Sequence, residues 1–336
     1  MSPPLRRLCR WFGIALGPLA LALSCWPTAQ AADLPQVRVA TLSFGTVAWE
    51  INTLQHHQLP QRYGVELVHI PVANNDASTI ALQGGAADVV VSNWFWVSRQ
   101  RGSGRAYQFV AHTLATGALV MHKDRHFADL RDLRGLRLGI GGGPTDKSWL
   151  LLQAYAQQEH GIRLRDSTEL EFAAPPTLNQ LLSRGRLDAV LNFWHFNTRL
   201  IAAGHQPVLR VEQMLSALEV HEPLPLLGWV FAEDFAREQP AALRGFLAAS
   251  QAAKNILRSS DAEWQRLRPQ MKAPDQATFE ALRDAYREGI PEPNMQVNRS
   301  EAAALYARLA KLGGPALVGR SPTLSEGVFW TPPTTP

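Results

Sequence analysis

Hydrophobic and polar positions along this chain follow two alternating periods. Short runs rich in Val, Leu and Ile, such as 36–42 and 136–140, have the length of buried strands. Longer amphipathic stretches, such as 47–59 and 145–160, follow those runs with helical spacing. This regular alternation predicts an α/β fold in which helices cover largely parallel sheets.

The alternation occurs twice, so the pattern predicts two α/β units. Predicted strands lie at 36–42, 65–70, 89–91 and 107–112 in the first unit and at 136–140, 169–172 and 189–191 in the second. Predicted helices lie at 47–59, 77–82, 95–101, 145–160, 177–183 and 193–203. Beyond residue 231 the pattern is helical, at 234–258, 262–268, 275–288 and 300–311, and a tail rich in Gly and Pro follows.

One motif occurs in both units. Gly85 and Asp88, in the stretch LQGGAADVVVSNW, correspond to Gly185 and Asp188 in LSRGRLDAVLNFW. Each stretch predicts a helix end, a glycine free to adopt positive φ, an aspartate that opens a strand, and Asn and Trp where the strand ends. Open α/β sheets bind ligands at the carboxyl ends of their strands, so the two units present Asn and Trp at equivalent candidate sites.

The N-terminus has the pattern of a secretory signal peptide. Three arginines and no acidic residue occupy the first ten positions, an apolar run covers 11–26, and Ala29 and Ala31 form an A-x-A site. A retained membrane anchor is disfavoured, because the run contains Gly and Pro and is shorter than the ~20 residues that a span needs. Lipidation at Cys25 ranks second, since the preceding Ala-Leu-Ser matches a lipoprotein signal poorly. We therefore expect residues 1–31 to be removed during export.

Composition excludes several classes of protein. The 336 residues are 46% hydrophobic and 18% charged, which argues against a disordered chain. The formal charge of +4 is concentrated in the leader, so the remainder lacks the basic character of a nucleic-acid-binding protein. Both cysteines, Cys9 and Cys25, belong to the leader, and the histidines are scattered. We therefore expect no disulfide, no metal site, no cofactor and no catalytic residue.

Four segments occur in a characteristic order: QRYGVEL at 61–67, the Gly-x-x-Asp motif, DLRDLRGLRLGI at 129–140 and FAEDFAREQP at 231–240. They resemble segments of the periplasmic solute-binding proteins of the ABC-type nitrate/taurine/sulfonate (and thiamine-precursor) transporter class. The resemblance implies a type II-like, two-lobed α/β fold whose two parallel-rich sheets are joined by hinge strands crossing near 115–120 and 226–230. Lobe one would then comprise 32–117 and 228–320, with the helical C-terminal part packed on it. Lobe two would be 118–227, and 321–336 a loop-like tail.

The same resemblance implies a function. We expect a periplasmic monomer that captures a small organic solute and delivers it to an inner-membrane ABC permease, without catalysis. The ligand would be a small anion such as a sulfonate, or else an aromatic heterocycle. One alternative is an enzyme like the thiamine-pyrimidine synthases of this fold, which the absence of a Cys-rich motif disfavours. Another is an exported sensory partner that presents its ligand to a membrane receptor.

Two strand-to-helix turns are candidate ligand contacts. The candidate residues are Ser43, Phe44, Gly45 and Thr46 in the first unit and Gly142, Gly143 and Thr145 in the second. The second turn is not a Walker A loop, because Asp146 stands where a glycine is required. Either turn could simply connect a strand to a helix, with Thr145 or Asp146 as the helix cap at the second turn. The resemblance favours ligand contact, since free N–H groups and the positive end of a helix dipole suit an anion.

Amide, aromatic and imidazole side chains near strand ends are further candidates. They are Asn74, Asn75, Asn93, Trp94, Asn192, Trp194 and His195. The alternative for each tryptophan is core packing, and we expect one or two of Trp94, Trp96 and Trp194 to face the cleft. Asp76 is expected to cap the helix that follows Asn75.

Overall fold

The structure, a computed structural model, describes residues 34–293 and 295–332. The expected signal peptide, the possible lipidation site at Cys25 and the last four residues of the tail lie outside this part of the chain. Within it, no helix has both the length and the apolar character needed to cross a membrane.

In the part of the chain that the structure describes, ten strands form two five-stranded sheets. The strands are β1 (Gln36–Leu42), β2 (Glu66–Val72), β3 (Val89–Asn93), β4 (Tyr107–Thr113), β5 (Ala118–Met121), β6 (Arg137–Gly141), β7 (Glu169–Ala173), β8 (Ala189–Asn192), β9 (Gln206–Arg210) and β10 (Leu227–Ala232). The first sheet has the order β2-β1-β3-β10-β4 and the second β7-β6-β8-β5-β9. In each sheet the first three strands are parallel, and the fourth, β10 or β5, runs antiparallel to its neighbours on both sides.

Helices cover both sheets. They are α1 (Val47–His56), α2 (Leu59–Arg62), α3 (Asn75–Gln83), α4 (Trp94–Arg101), α5 (Lys147–His160), α6 (Leu164–Ser167), α7 (Pro175–Ser183), α8 (Trp194–Ala202), α9 (Val211–Ala217), α10 (Glu233–Glu238), α11 (Pro240–Ser259), α12 (Asp261–Met271), α13 (Gln276–Glu288), α14 (Arg299–Gly313) and α15 (Pro315–Val318), with a 3-10 turn at Leu130–Leu133. We call the first sheet with α1–α4 and α10–α13 the first lobe, and the second sheet with α5–α9 the second lobe.

The repeated Gly-x-x-Asp motif has the same structural role in both lobes. Gly85 and Gly185 adopt φ values of 70° and 65°, which glycine tolerates best. Asp88 accepts hydrogen bonds from the backbone N–H and the guanidinium of Arg38 in β1, at 2.8 and 3.0 Å. Asp188 binds Arg137 of β6 in the same way, at 2.9 and 3.0 Å. Each aspartate therefore stabilises the start of the central parallel strand of its lobe.

The connections between the lobes lie at 114–117 and 218–226, outside any strand. The strands expected to cross near 115–120 and 226–230 instead begin directly after these connections. Each belongs wholly to one sheet, because β5 is paired on both sides in the second sheet and β10 in the first. Gly117 is packed so tightly here that an added Cβ would lie 2.0 Å from the backbone oxygen of Asn192.

The C-terminal part covers more than the first lobe. The helices α11–α13 lie on the first lobe, as expected, around a cluster that includes Trp49, Trp264 and Phe279. By contrast, α14 also packs on α5 of the second lobe, and one hydrophobic cluster runs from Trp94 through Tyr306 to Trp149. The tail returns to the first sheet, where Phe329 forms a β-bridge with Phe109 at the edge strand β4.

Candidate functional site

A cleft lies between the two lobes, at the carboxyl ends of β1, β3 and β4. The cleft encloses about 1390 Å³ of space, its solvent-facing mouth included, which suits a small organic molecule. The lining residues of the second lobe are Gly142, Thr145, Asp146, Lys147, Phe193, Trp194 and His195. The other walls come from the first lobe and the connection at 114–117.

Turns and helix starts of the first lobe supply hydroxyl and amide groups to the cleft. Gly45 and Thr46 line it just before α1, and Asn75 and Ser78 line it from the first turns of α3. Asn93 also lines it, although its Oδ1 accepts the N–H of Trp96 at 2.8 Å and thereby caps α4.

The facing turn of the second lobe carries a charge. Asp146 caps α5 by accepting N–H groups of Ser148 and Trp149, at 2.8 and 3.4 Å, so this cap occupies the helix start. The next residue, Lys147, is only 4% exposed, and among the described residues its ammonium has no ion pair or hydrogen bond. Its nitrogen lies 5.7 Å from the ring centre of Phe193, another lining residue.

A buried charged network forms the floor of the cleft in the first lobe. His112 and Lys254 line the cleft, and Glu50 lies behind them, fully buried in α1. The ammonium of Lys254 donates to the backbone oxygen of His112, and Ser250 donates to Glu50 at 2.5 Å. Burial alone would raise the pKa of Glu50, but His112, Lys254 and its hydrogen bonds lower it to about 2.

The two basic groups of this network, Lys254 and His112, differ in protonation at neutral pH. Burial lowers the pKa of Lys254 to about 8, although the charge of Glu50 opposes the shift. Burial also lowers the pKa of His112, and Lys254 adds to that effect. At neutral pH the floor therefore contains an ionised Glu50, a mostly protonated Lys254 and a neutral His112 whose ring N–H faces the carboxylate.

His195 is a neutral imidazole between the lobes. It is 4% exposed, and neither ring nitrogen makes a hydrogen bond of normal geometry within the described chain. Burial lowers its pKa to about 3, and the nearby Arg199 acts in the same direction. The ring of Trp49, from the first lobe, lies 6.5 Å away.

The structure brings eight of the fourteen candidate residues to the cleft. These are Gly45, Thr46, Asn75, Asn93, Gly142, Thr145, Trp194 and His195. The others, Ser43, Phe44, Asn74, Trp94, Gly143 and Asn192, do not line it. Asn74 instead caps α3 through the N–H of Ala77 at 2.8 Å, the role expected of Asp76.

Two of these six residues belong to the interior. Trp94 is fully buried, and its indole N–H donates to the backbone oxygen of Pro225 at 3.2 Å. Its ring packs on Phe95 in the hydrophobic core, so it is not a cleft residue. The amide of Asn192 likewise makes its hydrogen bonds inside the second lobe, where it donates to the backbone oxygen of Pro175 and to the side chain of Asn179, at 3.1 and 2.9 Å.

Several cleft residues were not identified from the sequence. They include His112, Lys147, Lys254 and Tyr286. Trp96, one of the three tryptophans of which one or two were expected at the cleft, lines it as well. Lys147 directly follows a residue predicted to cap a helix. This position at a helix start could have identified it as a cleft residue. Lys254 and Tyr286 lie in long amphipathic helices where nothing local distinguishes them from surface residues.

One group of potential metal ligands lies outside the cleft. Ligand atoms of His56, His57 and Glu263 lie within 4.8 Å of one another. Both oxygens of Glu263 already bind the guanidinium of Arg266, at 2.6 and 2.9 Å. A guanidinium in this position repels a cation, so the cluster is better explained as an ion-pair network.

Two lobes, two connections and an intervening cleft define the fold of a periplasmic binding protein. The chain belongs to the NMT1/THI5 like family, whose sequence profile matches residues 61–260. No curated protein matches the sequence. The expected two-lobed α/β fold and the expected family relationship are confirmed.

Solved structures with a similar fold have distant sequences. The alkanesulfonate-binding protein SsuA from Xanthomonas axonopodis pv. citri, bound to MOPS, is 16% identical with a TM-score of 0.70, over 89% of this chain and 99% of that one. The aliphatic sulphonate binding protein SsuA from Escherichia coli is 16% identical with a TM-score of 0.70, over 90% and 94%. The nitrate-binding protein NrtA from Synechocystis PCC 6803 is 13% identical with a TM-score of 0.58, over 74% and 69%.

Proposed function

We propose that this protein is the periplasmic solute-binding component of an ABC importer, and that it captures a small organic anion in the cleft between its lobes. Three findings support the proposal: the family, the two-lobed fold and a cleft lined from both lobes. Ligand contacts on both lobes favour the closed arrangement, which the membrane permease would then recognise. The protein acts as a monomer in this proposal.

We infer an anionic ligand from the ammonium of Lys147, which has no ion pair or hydrogen bond among the described residues. Taking a charge out of water costs free energy unless an opposite charge or hydrogen bonds replace the water. No carboxylate of the described chain lies within ion-pair distance of this ammonium. A sulfonate, carboxylate or nitrate-like group would supply the missing charge at the second lobe. Hydroxyls of Thr46 and Ser78 would face the ligand from the first lobe.

A neutral aromatic heterocycle is the second candidate ligand. Trp96 and Tyr286 from the first lobe and Phe193 and Trp194 from the second all line the cleft. Aromatic walls of this kind suit a flat ring. A thiamine-precursor pyrimidine is the heterocycle that the family relationship makes the natural first test.

Binding without chemistry is part of the proposal. The two cysteines of the chain are Cys9 and Cys25, so the Cys-rich motif of the synthase alternative has no counterpart in the rest of the sequence. SsuA and NrtA, whose structures are similar, are likewise binding proteins.

A thermal-shift screen tests the ligand class. The probes are taurine, ethanesulfonate, nitrate, acetate and a thiamine-precursor pyrimidine. A ligand at 100 times its dissociation constant adds about 2.7 kcal/mol to the apparent stability. We expect an anion to raise the melting temperature of the wild type and to lose this effect in Lys147→Gln. The control, Lys123→Gln, removes an exposed lysine of the same lobe and should keep the effect. Stabilisation by the pyrimidine alone would favour the second candidate.

Export and transport need separate tests. Intact-mass analysis of the periplasmic fraction should give a mature N-terminus at Ala32, whereas an acylated Cys25 would indicate a lipoprotein. Deletion of the gene should abolish uptake of the identified ligand if the protein serves a permease. Normal uptake combined with a lost transcriptional response would instead indicate the sensory alternative.

A further inference from the structure

We propose that Trp194 is a latch that holds the two lobes together through contacts with the first lobe, independently of any ligand. The latch comprises Trp194 of the second lobe and its partners Trp49 and Tyr286 of the first. This inference concerns the equilibrium between open and closed arrangements, so it goes beyond the proposed function and does not depend on the identity of the solute.

The geometry of the latch is that of a ring inserted into an aromatic cage. Trp194, the first residue of α8, meets Trp49 of α1 edge to face, with ring centres 6.2 Å apart and planes at 86°. Its ring centre also lies 6.3 Å from that of Tyr286 in α13, at 60°. Trp49 is in turn held by Trp264, whose ring centre is 5.9 Å away. The cage is therefore part of a buried hydrophobic cluster of the first lobe.

Neighbouring contacts align α8 with the first lobe. Phe196 meets Phe44 edge to face with ring centres 6.0 Å apart. One turn further along, the guanidinium of Arg199 donates to the backbone oxygen of Met271 at 2.6 Å. Trp194, Phe196 and Arg199 of α8 therefore all contact first-lobe residues, so Trp194 has a supported position.

The protein's own side chains make every contact of the latch. Aromatic pairs at these distances and angles favour association beyond the simple burial of area, and two of them together favour the closed arrangement by about 5- to 150-fold. A chain without such a latch would rely on its ligand for this part of closure. Here the lobes should be closed in a large fraction of molecules before any solute binds.

Spin-label distance measurements on the ligand-free protein test the latch. With the leader removed, the chain contains no cysteine, so labels at Ile80→Cys and Ser183→Cys report one distance between the lobes. The wild type should have a dominant short distance. Trp194→Ala should move the distribution to a longer distance, with the ratio of open to closed molecules raised by about 5- to 150-fold. Trp194→Phe, which retains a smaller ring, should give an intermediate shift.

Trp96→Ala is the matched control. Trp96 lines the same cleft, but its ring contacts Tyr107 of its own lobe, 5.3 Å away, so its removal should leave the inter-lobe distance unchanged. Identical distance distributions in the wild type and in folded Trp194→Ala or Trp194→Phe would overturn the proposal. A wild type with only the long distance would overturn it too. Neither result would affect the proposed solute-binding function, which the ligand screen tests separately.

Discussion

The imidazole of His112 and the carboxylate of Glu50 lie 2.9 Å apart in the first lobe, directly behind the floor of the cleft. Glu50 is fully buried, and Tyr286 also donates to it, at 3.3 Å. Tyr286 belongs to the latch and, like His112 and Lys254, lines the cleft. One buried carboxylate therefore connects the floor of the candidate site with the contact between the lobes.

Replacing Glu50 with Gln should destabilise the protein by about 3–5 kcal/mol at pH 7, because a buried cation loses its partner. The folded-state pKa of Glu50, about 2, lies below its ordinary value of 4.5. The ionised carboxylate therefore stabilises the fold fully above pH 4.5, and this contribution disappears as the pH falls towards 2. Urea unfolding of both proteins should show a large stability difference at pH 7 and a small one at pH 2.5. An equal difference at both values would contradict the role of the charge.

Two tryptophans two positions apart should behave in opposite ways. Trp94→Ala should cost about 3–5 kcal/mol of stability, because its ring fills the core. Trp96→Ala should melt close to the wild type but weaken binding of the solute found in the screen, by about 5- to 150-fold if the ring stacks on it. Melting curves and calorimetric titrations compare the pair. Equal losses of stability would place Trp96 in the core as well.

The two aspartates of the repeated motif, Asp88 and Asp188, should contribute different amounts to the stability of the fold. Asp188 is held by Arg137 and also by Arg125, at 2.6 Å, whereas Arg38 is the one arginine partner of Asp88 among the described residues. Burial alone would raise the pKa of Asp188, but these two arginines lower it to about 2. Asp188→Asn should therefore cost about 1–3 kcal/mol in urea unfolding, and Asp88→Asn less. A greater loss in Asp88→Asn would contradict this ranking.

Adjacent glycines provide a test of the turn before α5. Gly142 and Gly143 have φ values of 90° and 91°, so alanine at either position costs about 1–2 kcal/mol in backbone strain. A Cβ on Gly142 would in addition lie 2.8 Å from the carboxylate of Asp146, whereas one on Gly143 meets open space. Gly142→Ala should therefore unfold at a lower urea concentration than Gly143→Ala. Equal midpoints would indicate that the turn relaxes around the new methyl group.

Much of the fold follows from local patterns. The strand predicted at 36–42 and the helix end at Gly161 agree with the structure, and Asp146 is one of the two caps predicted for α5. The strand β9 was not predicted, and β5 and β10 were expected only as hinge strands that cross between the two sheets. Their antiparallel pairing joins segments that are distant in the sequence, and no local period reports such pairing.

The candidate site could be predicted only in part, and the repeated motif illustrates the reason. Trp94 and Trp194 occupy matching positions of the repeated motif, and each begins a helix. Packing of α14 against α4 encloses Trp94, whereas Trp194 meets the first lobe across the cleft. A helix from elsewhere in the chain decides whether the tryptophan lies in the core or at the cleft, so the similar local motifs cannot distinguish the two positions.

The tail that returns to the first sheet affects how the protein behaves in concentrated solution. Phe109 donates its backbone N–H to Val328 at 2.8 Å and accepts the N–H of Trp330 at 3.0 Å, so part of the outer edge of β4 is already paired. Open sheet edges are templates for aggregation between molecules. A protein truncated after residue 320 would expose this edge together with the side chains that Phe329 and Trp330 cover. An affinity tag or fluorophore attached close to residue 332 carries the same hazard, and self-association of such a sample would then reflect the tail rather than the solute.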